Sequence, residues 1–277
     1  MQNDKINLSL IIPIGLMLFS FFFGAGNLIF PPVLGQMAGE NISWGMLGFC
    51  LSGVGFPLLG VLAMAMKQSD NPDSIAMPMH PLYARAVTIL CALAIGPLFA
   101  IPRTAAVSFD AGIHSLLPAS CEAIGLPVYT VFFFILTYFF SINPSKIIGH
   151  IGKFLSPMLL ICLAVLVVCV FVNPTGSLKM PNPDFAASPF FRGFQEGYNT
   201  MDLLAAILFG SITIKAIEAQ GITDKKVLTK LCSYAGLIAA FFLAIIYAAL
   251  AYTGALSINV FGVIPNGATL LSKICTY

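Results

Sequence analysis

The sequence predicts an all-α membrane protein that crosses the bilayer about seven times. Of its 277 residues, 58% are hydrophobic and only 9% are charged, and the mean hydropathy is +0.95. Soluble domains carry roughly 25% charged residues, so this chain lacks the charge needed to cover a water-facing surface. The formal net charge is only +2, which argues against a nucleic-acid-binding protein because such proteins need basic patches.

Seven apolar runs are long enough to be transmembrane helices, which need about 20 residues. Each run contains one charged residue or none. They are Leu8–Phe30, Ile42–Met66, Ala86–Phe109, Ala123–Ile142, Phe154–Val172, Gly197–Ile214 and Leu231–Ile264. The last run is long enough for one span plus a re-entrant or interfacial tail. We therefore expect a single transmembrane domain over residues 1–277.

Basic residues are distributed unevenly between the loops. One set of alternate loops contains Lys5, Lys67, Arg85, Lys146, Lys153, Lys215, Lys225, Lys226 and Lys230. The opposite set contains only Lys179 and Arg192. Because cytoplasmic loops carry an excess of Lys and Arg, we expect the N-terminus and the first set of loops in the cytoplasm.

Small and polar residues interrupt the first span. The segment Phe23–Asn27 places two glycines and an amide late in an apolar run, where glycine lowers helix stability by about 1 kcal/mol. One interpretation is a close helix–helix contact in which Asn27 bonds to a neighbour. The other is an unwound segment whose carbonyls coordinate a cation, while the next half-helix directs its N-terminus at an anionic group.

A second polar segment begins the sixth span. Glu196–Asp202 contains two carboxylates where the membrane should begin, and carboxylates at membrane depth are commonly functional. The alternative is that Glu196 and Asn199 belong to a solvated outer loop and that Asp202 only pairs with Arg103 of the third span.

Arg103 is expected to be paired, because a guanidinium cannot deprotonate in a protein. It must reach a carboxylate, backbone carbonyls or water. Asp202, Glu196 and Asp110 lie at a suitable depth, and we favour Asp110, seven residues further along, if the helix bends.

The two interruptions are expected near Gly24–Asn27 in span one and near Glu196–Asn199 in span six, five crossings apart, and the two broken helices should approach each other. Because five is an odd number, two repeats with this spacing run in opposite directions, as in transporters whose substrate site lies between two broken helices. We expect a first repeat over about residues 8–172 and an incomplete second repeat over about 190–277. The sequence shows no nucleophile–base pair, metal-ligand spacing or Walker-type loop, so no catalytic residue and no enzymatic activity are expected.

Four motifs resemble those of the branched-chain amino acid:cation symporter family of bacteria. They are Phe23–Pro32, Gly96–Phe109, Asn143–Lys146 with Ile151–Lys153, and Glu196–Asp202. The resemblance implies a five-plus-five inverted-repeat, leucine-transporter-like bundle of the amino acid–polyamine–organocation superfamily, with helices 1 and 6 broken. It implies import of Leu, Ile and Val with a cation, usually Na⁺, across the bacterial cytoplasmic membrane. No other cofactor, no nucleic acid and no ATPase subunit is implied.

The resemblance also implies the residues of the binding site. Na⁺, if it is the coupling cation, would lie at Gly24, Ala25 and Asn27. The backbone of Gly24–Gly26 and of Glu196–Tyr198 would hold the amino acid's carboxylate and ammonium, and its branched side chain would occupy a pocket lined by residues such as Phe23, Val107 and Phe194. The expected substrate-binding residues are Phe23, Gly24, Ala25, Gly26, Val107, Phe194, Glu196, Gly197 and Tyr198. H⁺ stays an alternative, because Glu196 or Asp202 is able to carry a proton.

Members of that family usually have more spans than this chain, which ends at Tyr277. We therefore expect a C-terminally truncated member in which the second repeat is incomplete. The alternative to a working symporter is then a truncated, non-transporting remnant of one.

Overall fold

The computed structural model describes residues 8–118, 122–142, 156–172 and 176–276, and all regular structure within them is helical. The predicted all-α class is therefore confirmed. The helices are α1 (Leu8–Phe22), α2 (Ala25–Ala38), α3 (Ile42–Cys50), α4 (Phe56–Lys67), α5 (Pro81–Leu93), α6 (Ala100–Ser108), α7 (Glu122–Ser141), α8 (Ser156–Val172), α9 (Pro183–Ala187), α10 (Pro189–Tyr198), α11 (Asp202–Glu218), α12 (Lys225–Phe261) and α13 (Gly267–Thr276). The motif at Asn143–Lys153 lies outside the described residues.

Four helical stretches of the described chain are long and apolar enough to cross a membrane. They are Ala25–Lys67, Pro81–Ile113, Ile124–Ser141 and Lys225–Phe261. The bent pair α10 and α11 makes a fifth if it forms one span, and α1 is shorter because the chain breaks after Phe22. All seven predicted runs contain helix, while the number of crossings, their orientation and the inverted repeat stay predictions.

Helix α12 lies at the centre of the fold and packs against α1, α2 and α4. It is a single helix of 37 residues, which at 1.5 Å per residue is about 55 Å long. A re-entrant bend is therefore not part of this helix, whereas an interfacial tail stays a prediction, because the helix is longer than the ~30 Å hydrocarbon core requires. A short turn after Phe261 leads into α13, which packs back against α2.

Glycines bring two pairs of helices into close contact. Gly35 and Gly254 lie where α2 crosses α12, and Gly48 and Gly193 lie where α3 crosses α10. A Cβ atom at any of these four positions would collide with backbone atoms of the facing helix. Small residues serve this purpose in membranes, because lipid provides no hydrophobic force that pushes helices together.

Three π-helical turns modify the helix paths at Leu51–Gly55, Ala94–Leu98 and Phe109–Ile113. The second contains Gly96, whose ψ of −116° is not helical, so the third span is kinked there. This kink separates α5 from α6 and places α6 against α2, which brings Arg103 to the interruption in the first span.

Candidate functional site

The first helix break consists of Phe23 and Gly24 alone, and α2 begins at Ala25. The Asn27 side chain closes the break, since its Oδ1 accepts a hydrogen bond from the Gly24 N–H at 3.0 Å. Ala25, Gly26 and Asn27, which were expected to be unwound, form the first turn of α2 because of this cap. Their N–H groups have no acceptor within the helix, so the partly positive end of α2 points at the break.

The second break consists of Asn199–Met201, between α10 and α11. Met201 adopts a left-handed conformation with φ of +70°, and the two helices are bent by 45°. The Thr200 hydroxyl donates to the Gly197 carbonyl at 2.8 Å and so caps the end of α10. The break predicted near Glu196–Asn199 therefore lies about one turn too early, and the first three of those residues are helical.

Both breaks meet at three buried polar side chains, Asn27, Asp202 and Tyr247, which we call the polar triad. Asn27 Nδ2 donates to Asp202 Oδ2 at 2.5 Å and also to the Tyr247 hydroxyl. That hydroxyl donates to the same carboxylate oxygen at 3.2 Å. Each of the three residues is at most 4% exposed. The expectation that the two broken helices approach each other is confirmed, and Asn27 both bonds to a neighbour and caps a break.

Tyr247 was missed by the sequence analysis. It lies in α12, and its ring stacks on Phe23 with centroids 6.4 Å apart and meets the Phe49 ring edge-on at 5.2 Å. Its only signal in the sequence is a hydroxyl within a long apolar run, which does not distinguish it from other aromatic core residues. Only the fold brings that hydroxyl to Asp202.

Arg103 reaches the second break from α6. Its Nη1 donates to the Asn199 carbonyl at 3.1 Å and its Nη2 to the Thr200 carbonyl at 3.2 Å. The guanidinium also lies over the Phe30 ring, 5.5 Å from its centroid. Arg103 is therefore paired as expected, with the carbonyls at the C-terminal end of α10.

The prediction that Arg103 pairs with Asp110 was wrong. Asp110 accepts a hydrogen bond from Asn266 at 3.1 Å instead, in the turn before α13. Seven helical residues cover about 10 Å along the axis, which is beyond the reach of one guanidinium. The alternative, that Arg103 pairs with Asp202, was also wrong. Among the described residues, no carboxylate oxygen lies within 4 Å of the Arg103 guanidinium.

Two of the expected substrate residues of α10, Phe194 and Gly197, pack against the segment from α3 to the start of α4. The Phe194 ring packs edge-on against Phe56 with centroids 5.7 Å apart, and its carbonyl accepts from Ser52 Oγ at 2.7 Å. Gly197 is buried so closely against Phe49 and Ser52 that a Cβ atom would collide with them. This packing explains why the end of α10 stays helical.

The other expected residues differ in burial and in the helices that hold them. Val107 is buried in α6, Ala25 is half-buried and Tyr198 is exposed. Glu196 accepts a hydrogen bond from Asn199 Nδ2 at 3.4 Å. The binding roles of all these residues stay predictions.

The fold and the site define a class of protein: a helical membrane protein whose two interrupted helices meet at buried polar side chains, as in many solute transporters. Comparison with known sequences defines the family. The chain belongs to the branched-chain amino acid transport protein family, whose model matches residues 7–277. This is a family of membrane permeases and not of enzymes. No solved structure matches the chain significantly.

Three curated relatives illustrate the similarity. Branched-chain amino acid permease BrnQ of Bacillus subtilis is 45% identical over 276 residues, which are 100% of this chain and 63% of that protein. Branched-chain amino acid permease BraB of the same species is 43% identical over 96% of this chain and 60% of its own length. BrnQ of Escherichia coli is 38% identical over 94% and 59%, respectively. The chain thus spans about three fifths of the length of these relatives.

Proposed function

We propose that this chain forms the binding core of a secondary active transporter that imports Leu, Ile and Val together with Na⁺ or H⁺. The observation that carries the proposal is the polar triad, which joins the two helix breaks through a buried carboxylate. The names of the relatives, branched-chain amino acid permeases, support the substrate class.

In this proposal the amino acid binds beside the first break. The N-terminus of α2 attracts its carboxylate, and the aliphatic side chain lies near the Phe23 ring. The C-terminal end of α1 and the Asp202 carboxylate attract the coupling cation, as ends of interrupted helices do in transporters. Discrimination among Leu, Ile and Val is weak, since one methylene changes binding by only about 1–3 kcal/mol.

The proposal places the chain in the bacterial cytoplasmic membrane with its N-terminus inside the cell. The uneven distribution of Lys and Arg between alternate loops supports this orientation. Alternating exposure of the site then requires one group of helices to rock against the others, with the two breaks as the points where the helices bend.

The test is uptake of labelled leucine by the purified chain in proteoliposomes. Inward gradients of Na⁺ and of H⁺ are applied separately, with choline or K⁺ as the replacement cation. We expect one gradient to drive uptake, Asp202→Asn to abolish it, and Glu218→Gln to leave it unchanged, because Glu218 lies exposed at the far end of the same helix.

Uptake that neither gradient changes would contradict cation coupling, and full activity of Asp202→Asn would contradict the role of the polar triad. Leucine binding without any uptake would instead support the alternative of a non-transporting remnant.

A further inference from the structure

Arg103 brings a positive charge to the point where the two helix breaks meet. Its two hydrogen bonds to the end of α10 hold the guanidinium there. On the other side, Nη2 covers the first turn of α2 so closely that a Cβ atom added to Gly26 would lie 2.7 Å from it. The Arg103 side chain therefore touches both interrupted helices.

The protein leaves part of this cation without a partner. Of the five N–H groups of the guanidinium, two bond to carbonyls, and the buried Nε has no hydrogen-bond partner among the described residues. Within the described part of the chain, no carboxylate lies within 4 Å of Arg103. The Asp202 carboxylate is bonded to Asn27 and Tyr247 in the polar triad, and the Glu196 carboxylate is bonded to Asn199.

A second feature favours an anion at the same place. The first turn of α2, whose N–H groups have no acceptor within the helix, contains Gly26, the residue that Arg103 covers. Helix N-termini attract carboxylates, and the planar guanidinium binds a carboxylate through two parallel hydrogen bonds. Both the guanidinium and the start of α2 are electropositive, so the cation and the helix end favour the same ligand group, a carboxylate.

We propose that Arg103 binds the α-carboxylate of the amino acid substrate, together with the N-terminus of α2, and so selects amino acids over the corresponding amines and amides. The inference rests on the proposed function and adds a side chain to the backbone groups expected to hold the carboxylate. A bound carboxylate then links the start of α2 to the end of α10, because Arg103 contacts both.

The test measures how strongly the wild type, Arg103→Met and Arg103→Lys bind four ligands, by competition with labelled leucine. Leucine has both charged groups, 4-methylpentanoate has only the carboxylate, and leucinamide and isoamylamine have only the ammonium group. A charge-assisted hydrogen bond contributes enough to predict a loss of about 10- to 100-fold. We expect that loss in Arg103→Met for leucine and 4-methylpentanoate only.

Two controls separate binding from folding. Arg85→Met removes an exposed arginine that is 3.9 Å from Asp73 and far along the chain from both breaks, and it should bind all four ligands like the wild type. Arg103→Lys keeps the charge but not the two parallel N–H groups, and it should show a smaller loss. The ratio of two ligand affinities within one preparation does not depend on the fraction of folded protein.

The outcomes separate this inference from the proposed function. If the wild type binds leucine but Arg103→Met weakens all four ligands equally, or none, Arg103 only positions α10 and the inference is wrong. If the wild type binds none of the four ligands, the proposed function fails and the inference fails with it.

Discussion

Removing one hydroxyl from the polar triad should destabilise the protein measurably. Tyr247→Phe keeps the aromatic ring, so its contacts with the rings of Phe23 and Phe49 remain. It removes the hydrogen bond donated to Asp202 at 3.2 Å and the acceptor for Asn27 Nδ2. The change is therefore limited to hydrogen bonding at a fully buried site.

The expected magnitude follows from the two lost hydrogen bonds. Side-chain hydrogen bonds inside membrane proteins contribute about 0.6 kcal/mol on average and up to about 1.7 kcal/mol. The bond to Asp202 belongs to the stronger kind because its acceptor is a carboxylate. We therefore expect the free energy of unfolding to fall by roughly 1–3 kcal/mol.

The assay is denaturant unfolding in detergent micelles, followed by the helical circular dichroism signal. Tyr234→Phe is the matched control, because Tyr234 lies in the same helix and is exposed, and it should change stability by less than about 0.5 kcal/mol. In an Asp202→Ala background, Tyr247→Phe should lower the free energy of unfolding by at least about 0.5 kcal/mol less than it does in the wild type. The effects of substitutions within one hydrogen-bond network are not additive.

Two results would refute this reasoning. One is that Tyr247→Phe lowers the free energy of unfolding no more than Tyr234→Phe does, which would mean that the hydrogen bonds of the Tyr247 hydroxyl do not stabilise the protein. The other is strict additivity with Asp202→Ala, which would mean that the two side chains do not interact in the folded protein.

Three further outcomes follow from the packing and the loop charges. Gly193→Ala should lower the free energy of unfolding by about 1–3 kcal/mol, because the added Cβ atom meets the backbone of α3. Gly112→Ala should not lower it, because the space around Gly112 is open. Equal effects of the two variants in denaturant unfolding would contradict this packing. Gln36→Leu removes three hydrogen bonds to the end of α12 and the following turn. The rate of backbone amide hydrogen exchange at residues 262–266 should therefore rise by about 10-fold or more. An unchanged exchange rate would show that these bonds do not hold the turn. Lys225→Cys should gain no labelling by a membrane-impermeant thiol reagent in intact cells, and labelling from outside would reverse the predicted orientation.

The existence of both helix breaks could be predicted from sequence, but their ends could not. Glycine and polar side chains in apolar runs are a local signal, and they point to the right turns at Phe23–Asn27 and Glu196–Asp202. The ends depend on which side chain caps which backbone group. Asn27 caps Gly24, and the packing of Gly197 against α3 keeps the end of α10 helical.

Hydrogen bonds between residues that are distant in the chain could not be predicted from local sequence patterns. Asn27 is separated from Asp202 by 175 positions and from Tyr247 by 220, and nothing near Tyr247 in the sequence indicates a polar contact. For Arg103, the local sequence suggests Asp110, a neighbour along the same helix. The carbonyls that pair with Arg103 become available only because α10 ends at Tyr198, on another segment.

Polar residues that flank the two helix breaks also help to hold the helices together. In a bilayer, apolar side chains are as well solvated by lipid as by other helices, so association depends on close packing and hydrogen bonds. In this chain the close packing is provided by glycines at helix crossings, and the buried hydrogen bonds are provided by the polar triad. Stability and the candidate site therefore share their residues. A variant of the triad should change both properties, whereas Arg103→Met should change ligand selectivity more than stability, because Arg103 reaches the site from its edge.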